Sequence, residues 1–216
     1  EAYNRLYEYL GADDINRRLK QKGILGRISH RLSTPNSDRL DYKPLQFDAP
    51  TGKVISQIPP SRTIATYELS SLDKGVAYLS DGELVKQPFD FSEKNYLPIR
   101  SLHGIMQRLM FPNAFSENER FQLTKDDRQF VIETMKTLPY EGGYDREEYY
   151  DSYVKFFLFG DSPAPMPKHI EIYNKVGFAY GTLTDCAYIK NTRTNKEYLI
   201  TATILVNENQ TFNDDD

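Results

Sequence analysis

The sequence predicts an α+β fold: a helical lobe followed by a C-terminal antiparallel three-stranded meander. Two stretches, 1–32 and 99–160, carry apolar residues at helical spacing. Residues 168–208 instead read as β-strands joined by short polar connections. Between them, residues 33–98 are rich in Pro, Ser, Gly and Asp, with short β-like runs. We read this as a hairpin-containing insertion within one domain.

Residues 2–10 have helical spacing and stop at Gly11, a residue suited to the position just past a helix end. Asp13 or Asp14 can cap a second helix, with Ile15 and Leu19 facing inward and Gly23 closing it. The pair forms a helical hairpin. In the insertion, Pro50-Thr51-Gly52 and Ser80-Asp81-Gly82 are turn signals. The second lies between the runs 76–79 and 83–85, which predicts a β-hairpin.

The next helix is expected over 99–111, with Leu102, Ile105, Met106, Leu109 and Met110 on one side and Pro112 ending it. Thr124 and Asp127 resemble a capping box with Asp in place of Glu. Phe130, Val131, Thr134, Met135 and Leu138 follow as the expected inner face. A third helix is expected over 145–159, with Tyr149, Tyr150, Tyr153, Phe156 and Phe157 as a core stripe. The strands are expected at 170–175, 182–189 and 197–207, with a polar turn at 191–195. Three sequential strands with short connections make a meander.

Bulk properties exclude several functions. The net charge is −4 and no Lys/Arg block overrides it, so there is no nucleic-acid footprint. The run Arg17-Arg18-Leu19-Lys20 reads as a solvated helix face. His30, His103 and His169 lack metal-ligand spacing, and no metal or other cofactor is expected. The single cysteine, Cys186, sits among apolar neighbours and reads as a small core residue rather than a nucleophile. No apolar run approaches the roughly 18 residues needed to cross a bilayer.

The stretch IEIYNKVGFAYG, residues 170–181, carries the chemistry. Its alternation runs into Lys175-Val176-Gly177 at the end of the first predicted strand, and Gly181, Asp185 and Ala187 follow. This spacing resembles the K-T-G strand of the serine β-lactamase and penicillin-binding-protein superfamily, with its following D-x-A strand. The N-terminal segments EAYNRLYEYLG (1–11) and DINRRLKQKG (14–23) look like the helices that follow that superfamily's S-D-N motif. The blocks QPFDFS (87–92), FQLTKDDR (121–128), YDSYVKF (150–156) and ATILVN (202–207) resemble class A β-lactamase-related serine hydrolases of the Bacteroidetes type.

The resemblance implies a β-lactamase-like fold with an incomplete sheet, the chain being a C-terminal fragment. The S-x-x-K and S-D-N segments are then expected upstream of Glu1. It implies acyl-enzyme chemistry on a β-lactam, a D-alanyl peptide or an ester, so the partner is a small-molecule or peptidoglycan-derived substrate. Lys175 would be the electrostatic lysine, and Phe178 would supply a backbone N–H to the oxyanion hole. Val176, Gly177 and Ala179 would line the substrate, Gly177 allowing close approach because it has no Cβ. The family's location implies a periplasmic or surface-exported parent. Two departures stand out. Val176 replaces the motif's Thr and its substrate-binding hydroxyl. The E-x-x-L-N segment is missing, and Glu68 and Glu93 lie in the region that replaces it. The other reading is a non-catalytic wall-binding or scaffold relative on the same fold.

Overall fold

The computed structural model describes residues 2–32, 45–49, 51–56 and 69–214. Its elements, in chain order, are α1 (Ala2–Leu10), α2 (Ala12–Gln21), β1 (Leu45–Ala49), β2 (Gly52–Ser56), β3 (Asp73–Lys74), β4 (Ala77–Ser80), β5 (Glu83–Val85), β6 (Phe89–Asp90), α3 (Ile99–Met110), α4 (Lys125–Lys136), α5 (Phe156–Phe159), β7 (Ile170–Ala179), β8 (Thr182–Asn191), β9 (Lys196–Leu205) and β10 (Thr211–Phe212). The described residues make a mixed α+β chain, with five helices among them and a C-terminal antiparallel sheet ordered β7-β8-β9. It divides into two compact units: residues 1–74 with 89–98, and residues 75–88 with 99–216.

In the first unit, α1 and α2 form the expected hairpin. The cap differs from expectation: Gly11, at φ 76°, is the N-cap of α2, while Asp13 and Asp14 sit in its first turn. A residue shared between two helices must turn the chain sharply, and only glycine enters that region without steric cost. Among the described residues the extended segment after α2 has only an isolated bridge as strand partner, and side-chain amides take up its backbone groups. Asn16 brackets Ile28, accepting from its N–H at 2.8 Å and donating to its carbonyl at 2.7 Å. Asn4 does the same for Leu32, and Asn95 for Ser29 and His30. Arg27 pairs with Tyr96 through backbone hydrogen bonds of 2.7 and 2.8 Å. The strands β1 and β2 form an antiparallel hairpin around the expected turn, of which Pro50 lies outside the described residues.

The second unit contains the expected β4–β5 hairpin. Ser80 pairs with Glu83, leaving Asp81 (φ 51°) and Gly82 (φ 83°) as the turn. Positive φ at both positions matches the strand twist, which is why Asp-Gly suits this site. Parallel pairing of β10 with β4 extends the hairpin to three strands. Gly75, at φ +71°, lets Gln210 and Phe212 approach: a Cβ there would lie 2.3 Å from the Gln210 carbonyl oxygen.

The meander forms as expected, but its first strand is longer. It continues through Lys175 to Ala179, so Lys175 and Gly177 lie inside β7 rather than at its end. Tyr180 (φ 52°) and Gly181 (φ 65°) then make the turn, which places Gly181 ahead of β8. Sheet alternation sorts the side chains onto two faces. On one, Tyr173, Cys186 and Tyr188 pack with Met106 of α3 and Ile132 of α4. On the other, Ile172, Ala187 and Ile189 pack with Phe157, Phe159 and Met166. Along β9 this second face carries Tyr198, Ile200 and Ile204, which are 51%, 37% and 60% exposed.

Thr124 caps α4, accepting the Asp127 N–H at 3.1 Å while its own hydroxyl lies 2.6 Å from the Asp127 carboxylate. The shorter Asp carboxylate meets the hydroxyl, where the longer Glu of a capping box would reach the backbone N–H. The inner face of α4 is rotated from expectation. Ile132 is its buried residue, Val131, Met135 and Leu138 are half-buried, and Phe130 is 72% exposed.

The expected helix over 145–159 does not form. Residues 145–155 are turns, and α5 is one distorted turn in which Leu158 reaches φ 70°. Local polar bonds compete with the helix here. The Asp145 carboxylate accepts the Glu147 and Glu148 N–H groups. Asp151 is 3% exposed, is held by a two-pronged Arg146 contact at 2.9 and 2.8 Å, and accepts the Met166 N–H at 3.0 Å. The tyrosines instead form an edge-to-face surface cluster, Tyr149 and Tyr150 each meeting Tyr153.

Candidate functional site

Strand β7 is the outer strand of its sheet, hydrogen-bonded only to β8 among the described residues. Its register pairs Lys175 with Cys186, Val176 with Asp185, Gly177 with Thr184 and Phe178 with Leu183. Lys175 and Gly177 therefore share one face and are exposed, while Val176 and Phe178 point to the other. The Lys175 ammonium donates to the neighbouring Val176 carbonyl at 2.6 Å. Phe178 is 74% exposed and Ala179 is exposed at the strand end.

Gly177 has no internal reason to be glycine. Its φ is not positive, and an added Cβ would meet only the Thr184 Cβ, at 3.9 Å. The face it shares with Lys175 also carries hydroxyls that residue spacing alone did not single out. Thr184 and Thr203 are hydrogen-bonded at 2.8 Å, one register step along the strand from Lys175. Once β7, β8 and β9 are paired, the alternation of the three strands finds this set. Val176 carries no hydroxyl and belongs to the opposite face, so the hydroxyls beside the lysine come from β8 and β9.

Behind Lys175 runs a chain from the core. The Cys186 thiol takes a hydrogen bond from the Thr201 hydroxyl at 3.2 Å, and Thr201 lies 2.9 Å from Nδ1 of His103. Cys186 is 1% exposed, and burial pushes its thiol above the usual range, so it is the core residue its context predicts.

On the other face, Asn174 adjoins a buried polar group. The Lys155 ammonium donates to Asn174 Oδ1 at 2.8 Å and to the Met135 carbonyl at 2.7 Å. Asn174 Nδ2 donates to Asp185 Oδ1 at 2.9 Å and to the Val154 carbonyl at 2.8 Å. Asp185 Oδ2 accepts the Phe156 N–H at 3.1 Å. All three side chains are buried, and desolvation acts on both charged ends. Burial lowers Lys155 to about 8, against a smaller opposing pull from Asp185. Burial also raises the Asp185 carboxyl, opposed by the Asn174 hydrogen bond.

The S-x-x-K spacing, expected upstream, occurs twice within the chain. Ser71 and Lys74 are exposed in the first unit. Ser152 and Lys155 are interior: Ser152 is wholly buried, its hydroxyl 2.6 Å from the Phe159 carbonyl and 2.9 Å from that of Ser162. With Lys155 committed to Met135 and Asn174, this pair is not set up as nucleophile and base. Glu93 is exposed in the first unit, and Glu68 lies outside the described residues. Among the described residues no cluster of His, Cys, Asp or Glu could hold a metal ion, and no helix is long and apolar enough to cross a membrane.

Comparison of the chain with protein-family models, with curated proteins and with solved structures finds no match.

Proposed function

We propose that this chain supplies the Lys175-Val176-Gly177 half of an acyl-transfer site in a serine hydrolase similar to the class A β-lactamase-related enzymes. The carrying observation is the exposed face of β7. A lysine and an unforced glycine stand on an outer strand whose far edge is unpaired among the described residues. An extended substrate can add to such an edge through main-chain hydrogen bonds. Lys175 then holds positive potential over an anionic group, and Gly177 leaves room for it. The Thr184 and Thr203 hydroxyls flank the same surface. Phe178 contributes its backbone N–H to the oxyanion, its exposed ring being secondary. Substrates are a β-lactam, a D-alanyl peptide or an ester.

The test is nitrocefin and ester turnover by the full-length protein, with Lys175→Ala alongside. Loss of about two orders of magnitude is expected for an electrostatic group of this kind. Unchanged turnover removes Lys175 from the mechanism. The second reading, a non-catalytic wall-binding or scaffold relative, draws on the one interior S-x-x-K pair being buried and otherwise engaged. Labelling of the full-length protein by a fluorescent penicillin decides between the two.

A further inference from the structure

We infer that Lys155, Asn174 and Asp185 are positioning residues that fix how β7 presents Lys175 and Gly177; this rests on the proposed function of that strand. The argument begins from alternation. Asn174 immediately precedes Lys175, and Asp185 is the cross-strand partner of Val176, which immediately follows it. Asn174 and Asp185, the cross-strand partner of Val176, are thus tied down on the face opposite to the one Lys175 presents. Asn174 uses its whole amide: the oxygen takes Lys155, and the nitrogen serves both Val154 and Asp185. Asp185 spends its other oxygen on the Phe156 N–H. Two strands and the 154–156 segment are therefore held in one hydrogen-bonded register.

The chemistry of the group supports positioning over mere cohesion. Two opposite charges are buried without touching, an amide standing between them. A buried ionic group of this kind is seldom the most stable filling, since apolar residues of like volume often do as well or better. It does exclude alternatives. A one-residue slip of β7 would move Asn174 to the other face and leave both charges unpaired in the interior. An outer strand has a neighbour on one side only and needs such a register lock more than a central strand does. Lys175 and Gly177 are left outside the lock, free to meet a ligand, on a backbone that does not drift.

The test uses the full-length protein and two readouts. In the Lys155→Met/Asn174→Leu/Asp185→Leu variant, amides of residues 175–179 that pair with β8 should exchange at least about tenfold faster, while those of α3 and α4 stay protected. Turnover should fall about a hundredfold in kcat with KM little changed, the pattern of misplaced groups rather than lost binding. Unchanged exchange and unchanged kcat in the folded variant overturn the inference. Should that variant not fold, Asn174→Asp and the exchanged pair Asn174→Asp/Asp185→Asn decide. The single change puts two carboxylates together and should lose kcat, and the exchanged pair should recover most of it; a single variant with wild-type kcat overturns the inference. Full turnover in Lys175→Ala would instead defeat the functional reading, and hydrogen exchange would still decide on the lock.

Discussion

Lys155 and Asp185 are buried opposite charges with no direct ion pair; Asn174 stands between them, 2.8 Å from the ammonium and 2.9 Å from the carboxylate. Lys155→Met should destabilise the chain by about 2 kcal/mol, because it leaves the Met135 carbonyl and the Asn174 amide oxygen in the interior without their donor. Urea denaturation at neutral pH measures it.

The same lysine sets a pH dependence. Its folded value, about 8, lies below its ordinary value of 10.5, so between these the unfolded chain binds more protons. Stability should therefore rise with pH across that window, as the cost of burying the charge is relieved. The comparison is with Lys155→Met, which should lack this rise. A wild-type curve parallel to that of the variant between pH 8 and 10.5 would contradict the assignment.

Gly75→Ala should cost roughly 2–3 kcal/mol. Its φ of +71° is unfavourable for alanine, and the new methyl would lie 2.7 Å from the Phe212 ring. Thermal melting monitors the loss, and Gly82→Ala is the control. That residue shares a positive φ but meets nothing within 4 Å, so it should suffer only the backbone part.

The rotated face of α4 makes a paired prediction. Ile132→Ala removes a buried side chain and should cost about 2–4 kcal/mol. Phe130→Ala, at a position 72% exposed, should stay within about 0.5 kcal/mol. Equal losses in chemical denaturation would restore the face that spacing alone suggests.

The apolar stripe Tyr198, Ile200 and Ile204 lies on an outer strand. Such a surface promotes association. Ile204→Lys should lower the concentration-dependent scattering of the isolated chain while leaving its far-UV spectrum unchanged.

The meander, the β4–β5 hairpin and the N-terminal helical pair were legible because each is encoded by local signals: alternation, Asp-Gly or glycine punctuation, and helical spacing. Lys175 and Gly177 are singled out instead by the resemblance of Lys175-Val176-Gly177 to a K-T-G strand. The helix expected over 145–159 does not form because aromatic spacing there competes with local polar bonds. Asp145 and Asp151 bind backbone and Arg146 in ways only a turn allows. Phe130 misled for a related reason: several faces of α4 can be drawn apolar, and the sheet beneath selects the one through Ile132. The Asn174 group was illegible because Lys155 is 19 positions away and meets it only after tertiary packing. Thr184 and Thr203 likewise become neighbours only when the strands are set in register.

The two-residue turn at Tyr180 and Gly181 also bears on how the chain reaches this state. Strands β7 and β8 join across the shortest common hairpin loop, so their contacts form at little loop-closure cost. Arg27 must instead find the Lys94 carbonyl 67 positions away. The hairpin presenting Lys175 should therefore acquire protection early in refolding, with the Arg27 contacts maturing later. Pulsed hydrogen exchange would order the two events, and simultaneous protection would show that local closure does not set the rate.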